Sequence, residues 1–195
     1  MRDTLSPKRR LAVAGITTLC MMAVAAPAAA QTGGSGPPGG TTTTTPPTAP
    51  VGPPGRARLL KDGTAVAPAD APANIQAAIA AGNAIHTLPY VWGGGHRSFT
   101  DTGYDCSGAV SYVLHAASLL VSPMPSGPLA SSWGAPGKGR WITVYANASH
   151  AYMIVAGLRF DTSSGGDRWN QGSGPRWRKK KRKPVGYTAK FYPGY

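Results

Sequence analysis

The sequence predicts an α+β domain in which N-terminal helices pack on a central antiparallel β-sheet. Two stretches before residue 121 carry apolar residues at helical spacing, and apolar runs of strand length follow residue 139. The link between the first two of these runs is only two residues long, which is typical of a β-hairpin and therefore of antiparallel pairing. Helices followed by strands is the segregated order of an α+β fold.

The first 68 residues are expected to lie outside the folded domain. Residues 1–30 are typical of a signal peptide, with a basic start, an apolar stretch over 11–26 and small residues at 28–30 for cleavage. A retained membrane anchor is the alternative, but the apolar stretch is short for a membrane span. Residues 31–68 are rich in Gly, Thr and Pro and predict a disordered linker, so the domain is expected over 69–195.

The charge balance favours anionic partners. The chain carries 20 Lys and Arg residues against seven acidic residues, a formal net charge of +13, and all seven acids are Asp. Acid–base chemistry by glutamate is therefore excluded, and polyanions are the favoured partners. Cys20 lies in the predicted signal peptide, so Cys106 is expected to be the single thiol of the exported protein, without an internal disulfide.

The first predicted helix opens the domain. Its apolar face consists of Ile75, Ala78, Ile79, Gly82 and Ile85. Asp70 or Asn74 is a candidate cap, and the helix is expected to end near His86. A short extended segment then leads into three glycines at 93–95, which allow the backbone to approach another group closely.

Cys106 stands at the start of the second predicted helix. The apolar face of this helix consists of Val110, Val113, Leu114, Ala117 and Leu120. Asp105 or Ser107 can cap it, which places Cys106 at or just before the first turn. Unpaired N–H groups and the positive end of the helix dipole favour a thiolate there, and the thiolate is the nucleophilic form. The alternative is a small buried hydrophobic residue.

Four strands are expected after a long loop. Residues 121–139 are rich in Pro, Gly and Ser and predict a loop, in which Trp133 is interpreted as a packing anchor. The strands are expected over Arg140–Asn147, His150–Gly157, Leu158–Thr162 and Gly186–Tyr192. Both faces of the second of these strands are apolar, so it is expected to be central and covered on both sides.

His150 is the histidine best placed to act as a base for Cys106. It begins the central strand, where an imidazole is costly unless it is hydrogen-bonded or functional. His115 faces away from Cys106, since nine helical residues at about 100° each end half a turn away. His86 and His96 are expected to be solvated or satisfied locally. A helix that begins with cysteine, packed on a strand that begins with histidine 44 residues later, is papain-like geometry.

Three motifs strengthen this interpretation: Pro-Tyr-Val-Trp-Gly-Gly at 89–94, Tyr-Asp-Cys-Ser-Gly-Ala-Val at 104–110 and Ser-His-Ala-Tyr-Met at 149–153. Over about residues 75–162 the chain resembles the NlpC-type cysteine peptidases, papain-like endopeptidases that cut the stem peptides of bacterial peptidoglycan. The resemblance implies that Cys106 is the nucleophile and His150 the general base. It also implies that Tyr90 borders the nucleophile and that Asp105 and Ser107 line the substrate pocket.

The third catalytic residue is open between Asp161 and Thr162. By the resemblance, a polar residue is expected about twelve positions after the base, on the neighbouring strand. Asp161 fits if the preceding turn is one residue shorter, and Thr162 fits if it is not. Asp161 is preferred because a carboxylate orients an imidazole and stabilises its charged form; the alternative is an ordinary strand-end residue. No metal or other cofactor is expected, since structural zinc needs four ligands and the chain offers one cysteine without clustered histidines.

The run Arg176–Lys183 holds seven cations in eight residues. It predicts a solvated, flexible loop between strands, or alternatively a loop that binds anionic cell-wall polymers. Nucleic acid is not expected as a partner, because the predicted export makes the protein secreted or cell-wall associated. The sequence thus predicts a secreted cysteine endopeptidase that hydrolyses amide bonds in peptidoglycan stem peptides. The alternative is a non-catalytic cell-wall-binding module that keeps the same fold and uses its basic loop.

Overall fold

The computed structural model describes residues 55–163, 174–179 and 181–195. The chain divides into two compact units, residues 1–44 and 45–195, and the described residues all belong to the second. The predicted signal peptide and the first part of the predicted linker lie outside the described residues. Within the described ranges, no helix is long and apolar enough to cross a membrane.

The described residues form helices, a small hairpin and a six-stranded antiparallel sheet. In chain order the elements are β1 (Arg58–Leu59), β2 (Ala65–Val66), α1 (Ala73–Ile85), α2 (Cys106–Ala116), α3 (Ser126–Ser131), β3 (Ala135–Pro136), β4 (Ile142–Ala146), β5 (Ala151–Val155), β6 (Leu158–Asp161), β7 (Arg176–Arg178) and β8 (Thr188–Phe191). The strand order in the large sheet is β3-β8-β4-β5-β6-β7, with every neighbouring pair antiparallel. The predicted α+β architecture is confirmed, and β5 lies inside the sheet as expected.

The two faces of the sheet differ in what they contact. Alternate residues of β4 and β5 are buried in the core that α1 and α2 share with the sheet: Ile142, Val144, Met153 and Val155. The residues between them point to the opposite face, where Thr143 pairs with Ile154 and Tyr145 with Tyr152. We call this opposite face the outer face. By the same alternation, His150 and Asp161 belong to the outer face.

α1 follows the predicted apolar periodicity but not the predicted cap. Its buried residues are Ile75, Ala78, Ile79, Ala81, Gly82 and Ile85. The helix begins after Pro72 without a side-chain cap, so the prediction that Asp70 or Asn74 caps it is wrong. Asp70 instead accepts a hydrogen bond from the backbone N–H of Gly55 at 2.7 Å, which ties the chain before β1 to the helix start.

Gly82 allows α1 to pack closely against β7. A Cβ atom at Gly82 would overlap the indole ring of Trp177, which is itself buried. The neighbouring Asn83 adds a polar link, because its Oδ1 accepts hydrogen bonds from Trp177 Nε1 at 2.9 Å and from the Ala65 N–H at 2.8 Å. One turn of α1 therefore joins the hairpin and the edge strand to the core.

The β1–β2 hairpin lies in the segment that the sequence predicts as the end of the linker. Arg58 pairs with Val66 and Leu59 with Ala65, and both residues of β2 are buried. The folded domain therefore begins before residue 69, which corrects the predicted linker boundary at 68. Two-residue strands are too short to produce a hydrophobic period, so the sequence pattern could not reveal them.

Two segments predicted as loops contain regular structure. Residues 121–139 hold α3 and β3, so the expectation of a loop throughout is wrong. Trp133 in this segment is buried and its Nε1 donates to the Leu119 carbonyl at 3.1 Å, in agreement with a packing role. Arg176–Arg178, the start of the basic run, forms β7, and all three of its residues are buried. This part of the run is therefore not a solvated loop.

Candidate active site

The start of α2 is fixed against the glycine loop at residues 93–95. The Asp105 carboxylate accepts a hydrogen bond from the Gly108 N–H at 2.8 Å, as a helix N-cap does. The backbone N–H of Asp105 donates to the Gly94 carbonyl at 3.2 Å. A Cβ atom at Gly108 would overlap that same carbonyl, so glycine at 108 lets the loop reach the helix. The loop and the cap together hold Cys106, the first residue of α2, in position.

Cys106 and His150 meet where β5 begins. The Cys106 thiol lies close enough to the His150 side chain and to the backbone N–H of Ala151 for both groups to lower its pKa. Cys106 is 8% exposed, while the His150 side chain keeps 19% of its surface accessible. Because His150 uses Nε2 for Asp161, Nδ1 is the ring nitrogen left for the thiol. The start of the helix and the start of the strand therefore come together, as the sequence predicts.

Asp161 contacts the other side of the imidazole. A 3.0 Å hydrogen bond joins His150 Nε2 to Asp161 Oδ1, and the Asp161 side chain is fully buried. Ser163 fixes this carboxylate, since its N–H donates to Oδ1 at 2.9 Å and its hydroxyl donates to Oδ2 at 2.8 Å. The carboxylate is thus oriented before any substrate binds.

The turn between β5 and β6 separates Asp161 from its alternative, Thr162. Ala156 and Gly157 have φ angles of 44° and 85° and form a two-residue hairpin turn with both central residues at positive φ. This short turn places Asp161 on the outer face with His150. Thr162 is buried, but its hydroxyl has no hydrogen-bond partner among the described residues. The geometry favours Asp161 as the partner of the imidazole.

The electrostatics of the three residues favour an ion pair between Cys106 and His150. Burial raises the pKa of the Cys106 thiol, but hydrogen bonds from His150 and from the Ala151 backbone lower it, and the net pKa is below the usual thiol value. Burial lowers the pKa of His150, but hydrogen bonds with Asp161 and Cys106 raise it, to about 9. Burial likewise raises the pKa of Asp161, and the hydrogen bonds from His150 and Ser163 outweigh it and hold that pKa well below its usual range. Near neutral pH, these pKa shifts favour Cys106 as a thiolate, His150 as an imidazolium and Asp161 as a carboxylate.

Two arginines lie beside Asp161. Nη1 of Arg182 is 3.4 Å from Asp161 Oδ2, 3.4 Å from His150 Nε2 and 3.2 Å from Ser163 Oγ. Arg159 Nε is 3.4 Å from the same carboxylate oxygen, Oδ2. The buried carboxylate is therefore compensated by more than one cation, as a buried charge requires. In the sequence, Arg182 is one member of the basic run, and no pattern there indicates its contact with His150.

The predicted substrate-binding residues surround Cys106, but not all of them are open to a ligand. Tyr90 is half-buried; burial raises its pKa, and the neighbouring charges of Cys106 and Asp105 raise it further. Asp105 and Ser107 are 7% and 3% exposed and both face His96, whose Nε2 is 3.0 Å from Asp105 Oδ1 and 3.1 Å from Ser107 Oγ. Their polar atoms are thus engaged within the protein, and a substrate role for them stays a prediction.

The remaining histidines have local partners. His115 stacks on Phe99 at 3.8 Å between ring centroids, and its Nδ1 is 2.9 Å from the Leu120 carbonyl. His86 Nδ1 is 2.6 Å from the Asn83 carbonyl. His96 also has local partners, Asp105 and Ser107, which flank the predicted nucleophile. The sequence could not predict these contacts, because His96 lies in an irregular glycine loop that has no helical or strand period. In the described part of the chain, no group of three His, Cys or Asp side chains could hold a metal ion.

Comparisons with known proteins give little beyond this geometry. No family model matches the chain. No protein with a curated function matches it either. Among solved structures, a hypothetical invasion protein of Mycobacterium tuberculosis superposes with a TM-score of 0.43 and 20% sequence identity, over 61% of this chain. The superposition spans 62% of that protein's chain, which is less than two thirds of it. A likeness this distant defines neither a family nor an activity.

Proposed function

We propose that this protein is a cysteine peptidase that hydrolyses amide bonds in peptidoglycan stem peptides. The observation that carries the proposal is the chain of contacts from Cys106 at the start of α2, through His150, to the buried carboxylate of Asp161. Nucleophile, base and orienting group in this order are the parts that acyl transfer requires. Substrate identity rests on the three motifs described above and on their resemblance to NlpC-type peptidases.

The reaction begins with a proton transfer inside the Cys106–His150 pair. His150 Nδ1 holds the thiol proton, and the thiolate sulfur attacks the carbonyl carbon of the scissile amide. When the tetrahedral intermediate collapses, the carbon–nitrogen bond breaks and the imidazolium gives its proton to the leaving amine. A thioester on Cys106 remains. Water then attacks the thioester, His150 takes a proton from that water, and the thiolate leaves to restore the pair.

The start of α2 supports stabilisation of the oxyanion. The first N–H groups of a helix have no partner within the helix, and Cys106 and Ser107 occupy those positions. The positive end of the helix dipole adds to their effect on negative charge. Tyr90 is close enough to Cys106 to interact with it electrostatically, and we assign it to the border of the substrate site.

The exposed part of the basic run is proposed to contact anionic cell-wall polymers. Arg176 and Arg178 are buried and are used within the fold, Arg176 by a 3.1 Å hydrogen bond to the Gly174 carbonyl. The lysines at 179, 181 and 183 are exposed and available. Export through the predicted signal peptide would bring the protein to such polymers, so a secreted or wall-associated location belongs to the same proposal.

Digestion of purified peptidoglycan tests the function. Wild type should release peptides whose masses correspond to cleavage within the stem, and Cys106→Ala should release none while keeping its circular dichroism and its binding to the wall. A folded Cys106→Ala variant that releases the same peptides contradicts the peptidase proposal. Wall binding by wild type without released peptides would instead support the alternative, a non-catalytic wall-binding module.

A further inference from the structure

The outer face of the sheet carries a cavity that the proposed chemistry does not use. Its volume is about 320 Å³, within the size range of small-ligand sites. The floor is formed by side chains of β4 and β5, namely Thr143, Tyr145, Tyr152 and Ile154, and four cationic side chains also line it, namely Arg56, Lys138, Lys181 and Arg182. We call it the basic cavity. Three separate parts of the chain supply these cations, so their convergence is a property of the fold and not of the basic run.

Described carboxylates neutralise only one of the four cations of the basic cavity. None of its lining residues is acidic. Of its four cations, only Arg182 has an ion pair with a described carboxylate, that of Asp161. Gathered like charges repel one another unless a counter-charge is present, and guanidinium and ammonium groups bind oxyanions by charge-assisted hydrogen bonds.

Tyr152 provides a second and independent observation. The residue lines the cavity and is 1% exposed, yet its hydroxyl has no hydrogen-bond partner among the residues that the structure describes. Burial raises the pKa of Tyr152 to about 12, so the hydroxyl remains a protonated donor. Buried donors without an acceptor are uncommon in native proteins, and binding of an ion at the donor is one of the explanations for them.

We propose that the basic cavity is a binding site for an oxyanion, a phosphate or a carboxylate group, carried by an anionic polymer. The cations supply charge and hydrogen-bond donors, and the two stacked rings of Tyr145 and Tyr152, 5.0 Å apart, supply an apolar floor for the unit that bears the anion. The small volume admits one such group at a time, so the rest of the polymer lies outside the cavity.

Arg182 connects this site to the Cys106 centre. Its guanidinium lies over the rings of Tyr152 and Tyr187, at 5.5 and 5.2 Å from their centroids, while Nη1 reaches Asp161 and His150. An oxyanion in the basic cavity competes with Asp161 for this guanidinium. The proposed oxyanion binding can be tested separately from the proposed peptidase activity, because binding is measured without substrate cleavage.

Binding of two labelled probes to the full chain tests the proposal. The probes are an oligomer of glycerol phosphate and an oligomer of glutamate with equal charge, followed by fluorescence anisotropy at 0.15 M salt. The test variant combines Arg56→Gln, Lys138→Gln and Lys181→Gln. The matched control combines Arg58→Gln, Lys61→Gln and Arg97→Gln, exposed cations that do not line the cavity, so both variants lose the same net charge. The test variant should bind the preferred probe on the order of tenfold more weakly than wild type. The control should differ from wild type by about twofold or less, because screened distant charges contribute little.

Equal weakening in both variants would overturn the proposal, because the net charge of the protein would then explain binding. Failure of wild type to bind either probe at this salt concentration would overturn it as well. Tighter binding of the phosphate oligomer assigns a phosphate source, and tighter binding of the glutamate oligomer assigns a carboxylate source; either supports the site. If the test variant does not fold, the single changes Lys138→Gln and Lys181→Gln are compared with Lys61→Gln by the same criterion.

Discussion

Replacing Asp161 by asparagine should weaken the thiolate–imidazolium pair of Cys106 and His150 while a side chain of nearly the same size stays in place. Asparagine has nearly the same volume and can still accept a hydrogen bond from His150 Nε2, but it carries no charge. The Asp161 hydrogen bond is the largest influence that raises the pKa of His150, against the effect of burial. Without it, burial and the nearby Arg182 should bring the imidazole pKa down towards or below its usual value.

The size of the effect follows from the His150 pKa. A rise from 6.5 to about 9 corresponds to about 3 kcal/mol in favour of the imidazolium. If the charge of Asp161 supplies about 2 kcal/mol of this, its loss lowers the equilibrium constant for forming the thiolate–imidazolium pair roughly 30-fold. The rate of alkylation by iodoacetamide at neutral pH should fall by up to this factor, because only the thiolate reacts.

The assay follows carboxamidomethylation of the peptide that contains Cys106 by mass spectrometry, from pH 5 to pH 10. Cys20→Ser serves as the background, so that a single thiol is present. Thr162→Val is the matched control, since Thr162 is buried beside Asp161 and its hydroxyl has no partner among the described residues. An Asp161→Asn protein that is folded and reacts at the wild-type rate at pH 7 would refute this reasoning. A slow Thr162→Val protein with a normal Asp161→Asn protein would transfer the role to Thr162.

Two further predictions concern pH and packing. Peptidase activity should be lost as the pH rises through about 9, measured as kcat/KM on a soluble stem peptide. The reason is that His150 keeps the proton for the leaving amine only below its raised pKa. An unchanged rate at pH 10 would argue against His150 as the acid. Gly82→Ala should destabilise the domain by about 1–3 kcal/mol in urea unfolding, since a Cβ there would overlap the Trp177 ring and overpacking outweighs the helix-propensity gain of about 0.5–1 kcal/mol. Gly127→Ala in α3, where a Cβ meets nothing within 4 Å, is the control and should not destabilise; equal effects of the two changes would remove the packing explanation.

Local patterns in the sequence predict much of the fold because local chemistry determines it. α1 and α2 follow their apolar periodicity, and α2 begins at Cys106 because Asp105 caps it. The apolar runs before and after the Ala148–Ser149 link form β4 and β5, which pair as a hairpin. These elements could therefore be predicted without knowing which distant parts of the chain contact them.

Features that depend on distant contacts were not predictable in the same way. The charges at 176–178 favour a loop, yet the Trp177 ring fills the space beside Gly82 and brings its neighbours into an edge strand. The choice between Asp161 and Thr162 depended on a turn in which Ala156 adopts positive φ, a conformation that its side chain disfavours. A helix or strand pattern does not record such a turn, so the sequence alone left both residues open.

The basic cavity and the position of Arg182 also depend on contacts between distant parts of the chain. Arg56 and Lys138 come from segments far apart in the chain, and only the packed sheet brings them near Lys181. Charge counting favours an anionic partner and places its contact at a contiguous run, whereas the proposed site draws its cations from three segments. Spatial convergence, which the fold produces, is the property that distinguishes a site from a charged surface.

The central claim is that Cys106 acts as a nucleophile, and its most direct test is to trap the thioester intermediate with a nucleophile that competes with water. If Cys106 forms a thioester with the acyl part of a stem peptide, hydroxylamine added to the reaction competes with water for that thioester. Mass spectrometry should then find part of the acyl product as a hydroxamate, in a proportion that grows with hydroxylamine concentration, and no product of either kind with Cys106→Ala. Cleavage of the stem peptide by wild type that yields only the carboxylate at every hydroxylamine concentration would contradict nucleophilic catalysis by Cys106.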